Sequence, residues 1–438
     1  MRTPSRKSSY TLANKEQEMD ARNEAIIFDS NESEKTLKLT LESDHCQANN
    51  NDKESSQNVQ NVEKSSHQII QNFVPNWFAM TLSWGATALI IRTLPNLSSY
   101  PNLFKIFDLS AKIIFFWNTL YFLLFLGILF YPKPENLRQN LVRKIIEHPI
   151  KSNFLALIPM TFGVWVTSIV VLFGLNEIGF WLFWVDLFFS YFACVYLNYR
   201  NITNLKSRNL PMINSVYLFP NLPNIVAAAA GATILPFMEN NSYKIYLMIA
   251  SYISLGIGFS LSLLVLAVYF VRLLQKGWPG LEIANSVWVV IGPIGHSANT
   301  ILQLGRHIND MEIGGQNETI TCINKKYFQT IQQSVLAPSL LTGLFLWGFA
   351  LFWFFIAALT LYQHTSKIKF NLSFWGIIFP IATFTFSTYQ LTIITGMVLF
   401  KFMSIFLMSF ILMASFCVHF CTLWEVLLNG EVFWGKFK

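Results

Sequence analysis

Residues 288–305 read WVVIGPIGHSANTILQLG, with strongly apolar chain around them. In a stretch long enough to cross a bilayer stand His296, Ser297, Asn299, Thr300 and Gln303, just after a Gly292-Pro293 break. Gly292, His296, Asn299 and Gln303 fall at i, i+4, i+7 and i+11, one stripe of a helix. At membrane depth such a stripe faces a pathway or the bundle interior, because hydrocarbon offers it no partners. Packing is the alternative reading, since small and polar residues also let membrane helices approach closely. The rest of the chain weighs between the two.

The chain has 438 residues, 53% hydrophobic and only 13% charged, with 41 Phe. That excludes an ordinary soluble globular protein. A bilayer crossing takes roughly 20 apolar residues. Runs of that kind lie near 73–92, 113–131, 152–173, 178–198, 216–236, 245–271, 286–304, 335–361, 374–396 and 400–425. Long and very short connections alternate between them. The expectation is an all-α membrane protein with ten transmembrane helices arranged as five consecutive hairpins.

Residues 1–69 are rich in Ser, Asn, Gln, Glu and Lys and nearly free of aromatics. Such a composition buries too little apolar area to offset chain entropy, which predicts a disordered cytoplasmic tail. Ser8 and Ser9 follow Arg6-Lys7, a setting that suits a basic-directed kinase. Residues 70–430 form the expected membrane domain and 431–438 a short cytoplasmic C-terminal tail. No apolar run opens the chain, so the expectation is no cleaved signal peptide and insertion directed by the first span.

Charge is unevenly placed. The first 69 residues hold 12 acidic and 9 basic side chains, the remainder 12 and 22. No nucleic-acid motif accompanies the basic body, and loops facing anionic lipid explain it. Connections 2–3, 4–5, 6–7 and 8–9 carry twelve Lys and Arg against eight on the other side. That bias predicts a multi-pass protein with both termini in the cytosol.

Odd-numbered segments differ from even ones. They contain Pro75, Pro159, Pro220 and Pro223, Pro293, and Pro380, whereas Pro338 of segment 8 lies in its first turn. A proline inside a helix removes a backbone hydrogen bond and kinks it. The odd segments also carry the small and polar residues. Segment 1 has Thr81, Ser83, Gly85 and Thr87; segment 3 has Thr161, Gly163, Thr167 and Ser168. Segment 5 has Pro223-Asn224 and the run Ala227 to Gly231; segment 9 has Thr383, Thr385, Ser387 and Thr388. Even segments are greasy and aromatic, as in FFWNTLYFLLFLGILF (115–130) and FWLFWVDLFFSYF (180–192). The pattern predicts five kinked inner helices around an axis and five outer helices facing lipid, and it favours a pathway over packing for the opening stripe.

Chemistry narrows by exclusion. There is no P-loop, GxSxG elbow, HExxH or CxxC, so neither an enzyme nor a metal or cofactor site is expected. Five cysteines make no disulfide framework, and Cys417 and Cys421, on one helix face, read as packing sulfurs. Carboxylates in the spans are limited to Asp186, expected to make a structural hydrogen bond, and Glu425 at the end of segment 10. A pathway without fixed negative charge, lined by hydroxyls and helix-break amides, suits small anions. His296 is either a packing residue or a pathway donor that gains charge in acid. His419, among aliphatics, reads as structural.

Several stretches resemble the tellurite-resistance/dicarboxylate transporter family, which includes fungal sulfite efflux pumps, malic acid permeases and plant slow anion channels. They are FVPNWFAMTLSWGATALII (73–91), HPIKSNFLALIPMTFG (148–163), LFPNLPNIVAAAAG (218–231), VIGPIGHSANTILQLGR (290–306) and FWGIIFPIATFTFSTYQL (374–391). The helix 3 and helix 7 stretches look more like the sulfite pumps, although that pattern usually has Gln where this chain has His296 and Gly where it has Thr161. The resemblance implies quasi-five-fold symmetry around a central pore, homotrimers, and a phenylalanine gate at Phe379. The substrate path it implies takes in Thr81, Ser83, Gly85, Pro159, Thr161, Gly163, Pro223, Asn224, Gly292, Pro293, His296, Asn299, Gln303, Pro380, Thr383 and Ser387. The expected function is sulfite or bisulfite efflux at the plasma membrane, with a C4-dicarboxylate (malate) permease as the alternative. A dicarboxylate would want a matched pair of cations, and the inner segments carry no Lys or Arg at depth.

Overall fold

Hydrocarbon satisfies no backbone groups, so a chain this apolar must close its hydrogen bonds within helices. Helices are the regular structure found among the described residues, and no strand occurs there. The structure, a computed structural model, describes residues 73–93, 101–130, 143, 145–203, 213–278, 281–311, 330, 332, 334–364 and 370–425. All of them belong to the unit Asn72–Lys438. The tail 1–69, the tail 431–438, Cys46, Cys322 and several of the loop cations lie outside the described residues.

In chain order the helices are α1 Phe78–Thr93, α2 Pro101–Phe130, α3 Leu157–Phe173, α4 Asn176–Thr203 and α5 Leu222–Ile234. There follow α6 Asn241–Lys276, α7 Ile291–Asn309, α8 Leu336–His364, α9 Trp375–Thr395 and α10 Val398–Trp424. Among the described residues, eight helical segments are long and apolar enough to cross a membrane. The elements α1 and α7, which coincide with two of the ten expected spans, are not among them. The reason is enclosure. Every residue of α1 from Phe78 to Ile91 is buried, as is most of α7, so neither needs a lipid-facing apolar surface.

Burial alternates along the chain. The most apolar window of the α5 segment is 94% buried and that of the α3 segment 72%, against 28% for α2, α6, α8 and α10. The odd helices pack in a closed series: α1 on α3, α3 on α5, α5 on α7, α7 on α9, and α9 back on α1. Each even helix packs outside its odd predecessor and turns large side chains outward, such as Phe116, Phe188 and Phe345. Inner helices therefore meet protein on all sides and outer helices do not.

The prolines act differently from expectation. Each odd helix is preceded by a 3-10 segment, namely Pro75–Trp77, Lys151–Ala156, Ser215–Asn221, Leu281–Val290 and Leu372–Phe374. Pro159, Pro223 and Pro293 fall in the first turn of the α-helix that follows, where a missing N–H costs nothing. Among the α-helical segments Pro380 alone is interior. The tighter 3-10 winding, rather than a mid-helix kink, bends the chain at the other four positions.

Other expectations also shift. Segment 2 begins a dozen residues early, because Pro101 starts a helix whose polar first turns carry Asp108 between Arg92 (3.2 Å) and Lys112 (2.7 Å). Cys417 and Cys421 are exposed on α10 rather than packed. Asp186, expected to hold a structural hydrogen bond, is 1% exposed with neither oxygen partnered among the described residues. It sits against Gly163, where a Cβ would lie 2.7 Å from its Oδ2. A buried carboxyl without a partner has no reason to be ionised. Gly163→Ala should therefore destabilise the protein by about 1–3 kcal/mol through overpacking, read as a lowered melting temperature in detergent. Adding Asp186→Ala should restore most of the loss; no recovery would show that the glycine serves something other than this contact.

Candidate functional site

One face of each inner helix looks onto the axis that the ring encloses, at steps of three and four residues. On α1 it is Ala79, Leu82, Ala86, Leu89 and Thr93; on α3 it is Leu157, Met160, Val164, Thr167 and Val171. On α5 the stripe includes Leu222, Val226, Ala229 and Thr233, and on α7 it is Val289, Gly292, His296, Asn299 and Gln303. Gly376, Phe379, Phe386 and Gln390 complete it from α9. The spacing that stood out on α7 thus recurs on all five.

Two cavities lie along this axis. The first, of about 30 Å³, is near the N-terminal ends of the helices and almost wholly apolar; Asn76 is its one polar side chain. The second, of about 70 Å³, lies toward their C-terminal ends. A water molecule needs roughly 10–15 Å³ on this measure, so each has room for a few waters or one small ion. Phe379 is the one residue lining both. Its ring is 5% exposed and lies 5.7 Å from that of His296, tilted by 58°. Phe379 therefore stands between the two cavities.

The second cavity has a defined polarity. Nδ1 of His296 and the carbonyl oxygens of Asn299 and Gln390 are buried without partners. The Gln303 amide lies 2.9 Å from the Thr233 hydroxyl, whose proton goes to Ala229 O at 2.8 Å. These side chains thus offer the cavity three amide groups and the His296 imidazole. Amide N–H groups only donate, and an imidazole donates from whichever nitrogen carries the proton. No Asp, Glu, Lys or Arg lines either cavity. A donor-rich, acid-free chamber of this size can exchange a small anion's hydration for hydrogen bonds.

The residues singled out in the sequence divide. Gly292, Phe379 and Pro380 line the first cavity, and His296, Asn299, Gln303 and Phe379 the second. The remaining candidates line neither. Thr81 and Thr161 share a 3.2 Å hydroxyl contact between α1 and α3, and Ser83 donates to Trp375 O across α1 and α9. Thr383 and Ser387 donate to Pro380 O and Phe384 O in their own helix, a common use of such hydroxyls in apolar surroundings. A Cβ on Gly85 would meet Val164 at 2.7 Å, so that glycine, like Gly163, serves packing. Pro159, Pro223 and Pro293 open their helices, and Asn224 offers its carbonyl to Ser254 of α6. Sequence reasoning passed over Asn76, Thr233, Tyr389 and Gln390. Gln390 had a signal: it lies eleven residues after Phe379, as Gln303 does after Gly292.

A ring of buried helices around an axis lined by amides and an imidazole limits the families to compare. Residues 72–423 match the SLAC1 family, described as voltage-dependent anion channel. The chain belongs to that family. Among curated relatives, the sulfite efflux pump SSU1 of Arthroderma benhamiae is 26% identical, over 74% of this chain and 82% of its own. An uncharacterized transporter of Methanocaldococcus jannaschii is also 26% identical, over 74% and 85%. The malic acid transport protein of Schizosaccharomyces pombe is 20% identical, over 74% and 72%.

What brings His296 to Phe379 in this SLAC1-family chain is the residue before it. A Cβ on Gly295 would lie 3.0 Å from Phe384 N and Thr383 Oγ1 and 3.2 Å from Phe384 Cα. On Gly292 it would meet nothing closer than 3.9 Å. Gly295→Ala should lower the melting temperature in detergent markedly and Gly292→Ala hardly at all. Equal tolerance of the two substitutions would refute the close approach of α7 to α9.

Proposed function

We propose that this protein is a plasma-membrane anion transporter that exports sulfite or bisulfite along the axis of the inner helices, with Phe379 as the gate. The observation that carries this reading is that Phe379 alone lines both cavities, below a chamber lined by amides and an imidazole and no carboxylate. In the proposed cycle Phe379 swings from the axis, the anion trades water for the Asn299, Gln303, Gln390 and His296 nitrogens, and it leaves past the C-terminal ends. Ten helices as five hairpins with quasi-five-fold symmetry are the architecture proposed around that path. Cytosolic termini and a homotrimer complete the proposal. The relatives named as sulfite efflux pumps support the substrate.

The relative named as a malic acid transport protein supports the second reading, a C4-dicarboxylate permease. Two carboxylates would call for paired cations, and neither cavity is lined by Lys or Arg. Efflux of radiolabelled sulfite and malate from cells lacking their own exporters decides between them, and faster malate than sulfite efflux would reverse the assignment.

Phe379→Ala removes the plug while sparing every donor, so anion flux or leak should rise severalfold in proteoliposomes at equal protein. Unchanged flux from correctly folded protein would rule out the gate. His296 adds a second test. Protonation puts a positive charge beside the anion, so the contribution of His296 is present in acid and lost as pH rises through the imidazole pKa. His296→Gln should keep flux and flatten that dependence. Because the substrate also titrates, the comparison is wild type against variant at each pH; coincident profiles would make His296 a packing residue.

A further inference from the structure

The polar stripe of α7 does not stop at Gln303. Arg306 follows three residues on, extending the 4-3-4 spacing of Gly292, His296, Asn299 and Gln303 by another step on the same helix face. In the sequence it had passed for a loop cation; in the structure it belongs to α7 and is half-buried. Tyr389, which lines the second cavity from α9, lies within the electrostatic reach of both Arg306 and Arg92. Arg92 and Arg306 stand in the last turns of α1 and α7, at the C-terminal ends of the inner helices.

They are not equivalent. Arg92 is paired with Asp108 at 3.2 Å and lies over the Phe104 ring at 4.6 Å. Arg306 makes no ion pair among the described residues; Asp310, one turn on, is exposed and beyond pairing distance. Among the described residues its side chain contacts the neighbouring His307 ring, 3.1 Å from Nη2. His307 and Asp310 from its own helix and Tyr389 from α9 are the titratable groups within its electrostatic reach. A half-buried guanidinium without a counter-ion is costly, and its planar fork matches an oxyanion in two-point contact.

We propose that Arg306, with the Tyr389 phenol, is an anion-binding subsite at the C-terminal mouth of the path, taking a small monovalent oxyanion as the counter-ion that the described residues do not supply. This rests on the anion-transport reading above and adds to it the residue that receives the anion from the donor chamber. The handover is along one helix face, from the Gln303 amide to the Arg306 guanidinium one turn away. It also makes the two ends of the path unlike: an apolar chamber at one and a cation at the other.

The test uses the full-length protein in liposomes, with sulfite and with nitrate, measuring initial flux against anion concentration from each face. Arg306→Gln should raise the half-saturating concentration about tenfold from one face, the scale of one partly screened charge contact, and leave the other face unchanged. Arg306→Lys should lie between, and Arg92→Gln should change less than Arg306→Gln because Asp108 already engages the Arg92 guanidinium. Identical concentration dependence for wild type and Arg306→Gln on both faces would overturn the subsite. If Arg306→Gln does not purify as a single species, Arg306→Lys decides: an unchanged half-saturating concentration overturns the two-point contact. Should no anion cross at all, the transport reading fails, and sulfite-dependent thermal stabilisation in detergent tests the subsite independently. Loss of that stabilisation in the Arg306 variants supports the subsite, and its retention or its absence from wild type overturns it.

Discussion

One close constraint in the molecule is the contact of α7 with α9 at Gly295, where the absence of a Cβ lets one helix lie on the backbone of another at Phe384. Two consequences follow from that approach. It sets His296, the next residue, against the Phe379 ring, and it completes a ring of five helices in which α9 also touches α1. A larger side chain would separate the pair by more than the tolerance of a packed interior. The contact of His296 with Phe379 and the α7–α9 step of the closed series both depend on this spacing.

A ring of inner helices settles how polarity is tolerated in an apolar chain. Hydroxyls on inner faces bond to carbonyls of their own helix or to the next helix, as Thr167 does to Gly163 O and Ser83 to Trp375 O. Amides along the axis instead leave polar atoms without protein partners, which is affordable only where water or an anion can reach them. The outer helices carry the aromatic mass, and their side chains meet lipid. Asp186, on an outer helix, also turns inward: it lies against Gly163, without a partner among the described residues.

The prolines illustrate how a correct local signal can have a different structural meaning. Their alternation separated inner from outer helices, because both proline and small residues collect where a helix is enclosed by protein. The inferred kinks did not follow. Pro159, Pro223 and Pro293 fall in the first turn of their α-helices, Pro75 opens the 3-10 segment ahead of α1, and only Pro380 is inside an α-helix. In a first turn the missing N–H has no partner to lose.

Sequence by itself determined the class, most of the helix positions and the division into inner and outer helices, because hydropathy, proline and 3.6-residue periodicity are local properties. It also picked out the stripe of Gly292, His296, Asn299 and Gln303, since a face of one helix is legible along one segment. Tertiary structure alone decided which polar residues reach the axis. Thr81, Thr161 and Thr383 look the same in sequence as Thr233, yet the first three bond between or within helices and the last lines the chamber. The rotation of a helix about its own axis is set by its neighbours. For the same reason the pairing of Arg92, the lack of a counter-ion at Arg306 and the join of two cavities at Phe379 came only from the packed ring, where residues distant in sequence are brought within a few ångströms.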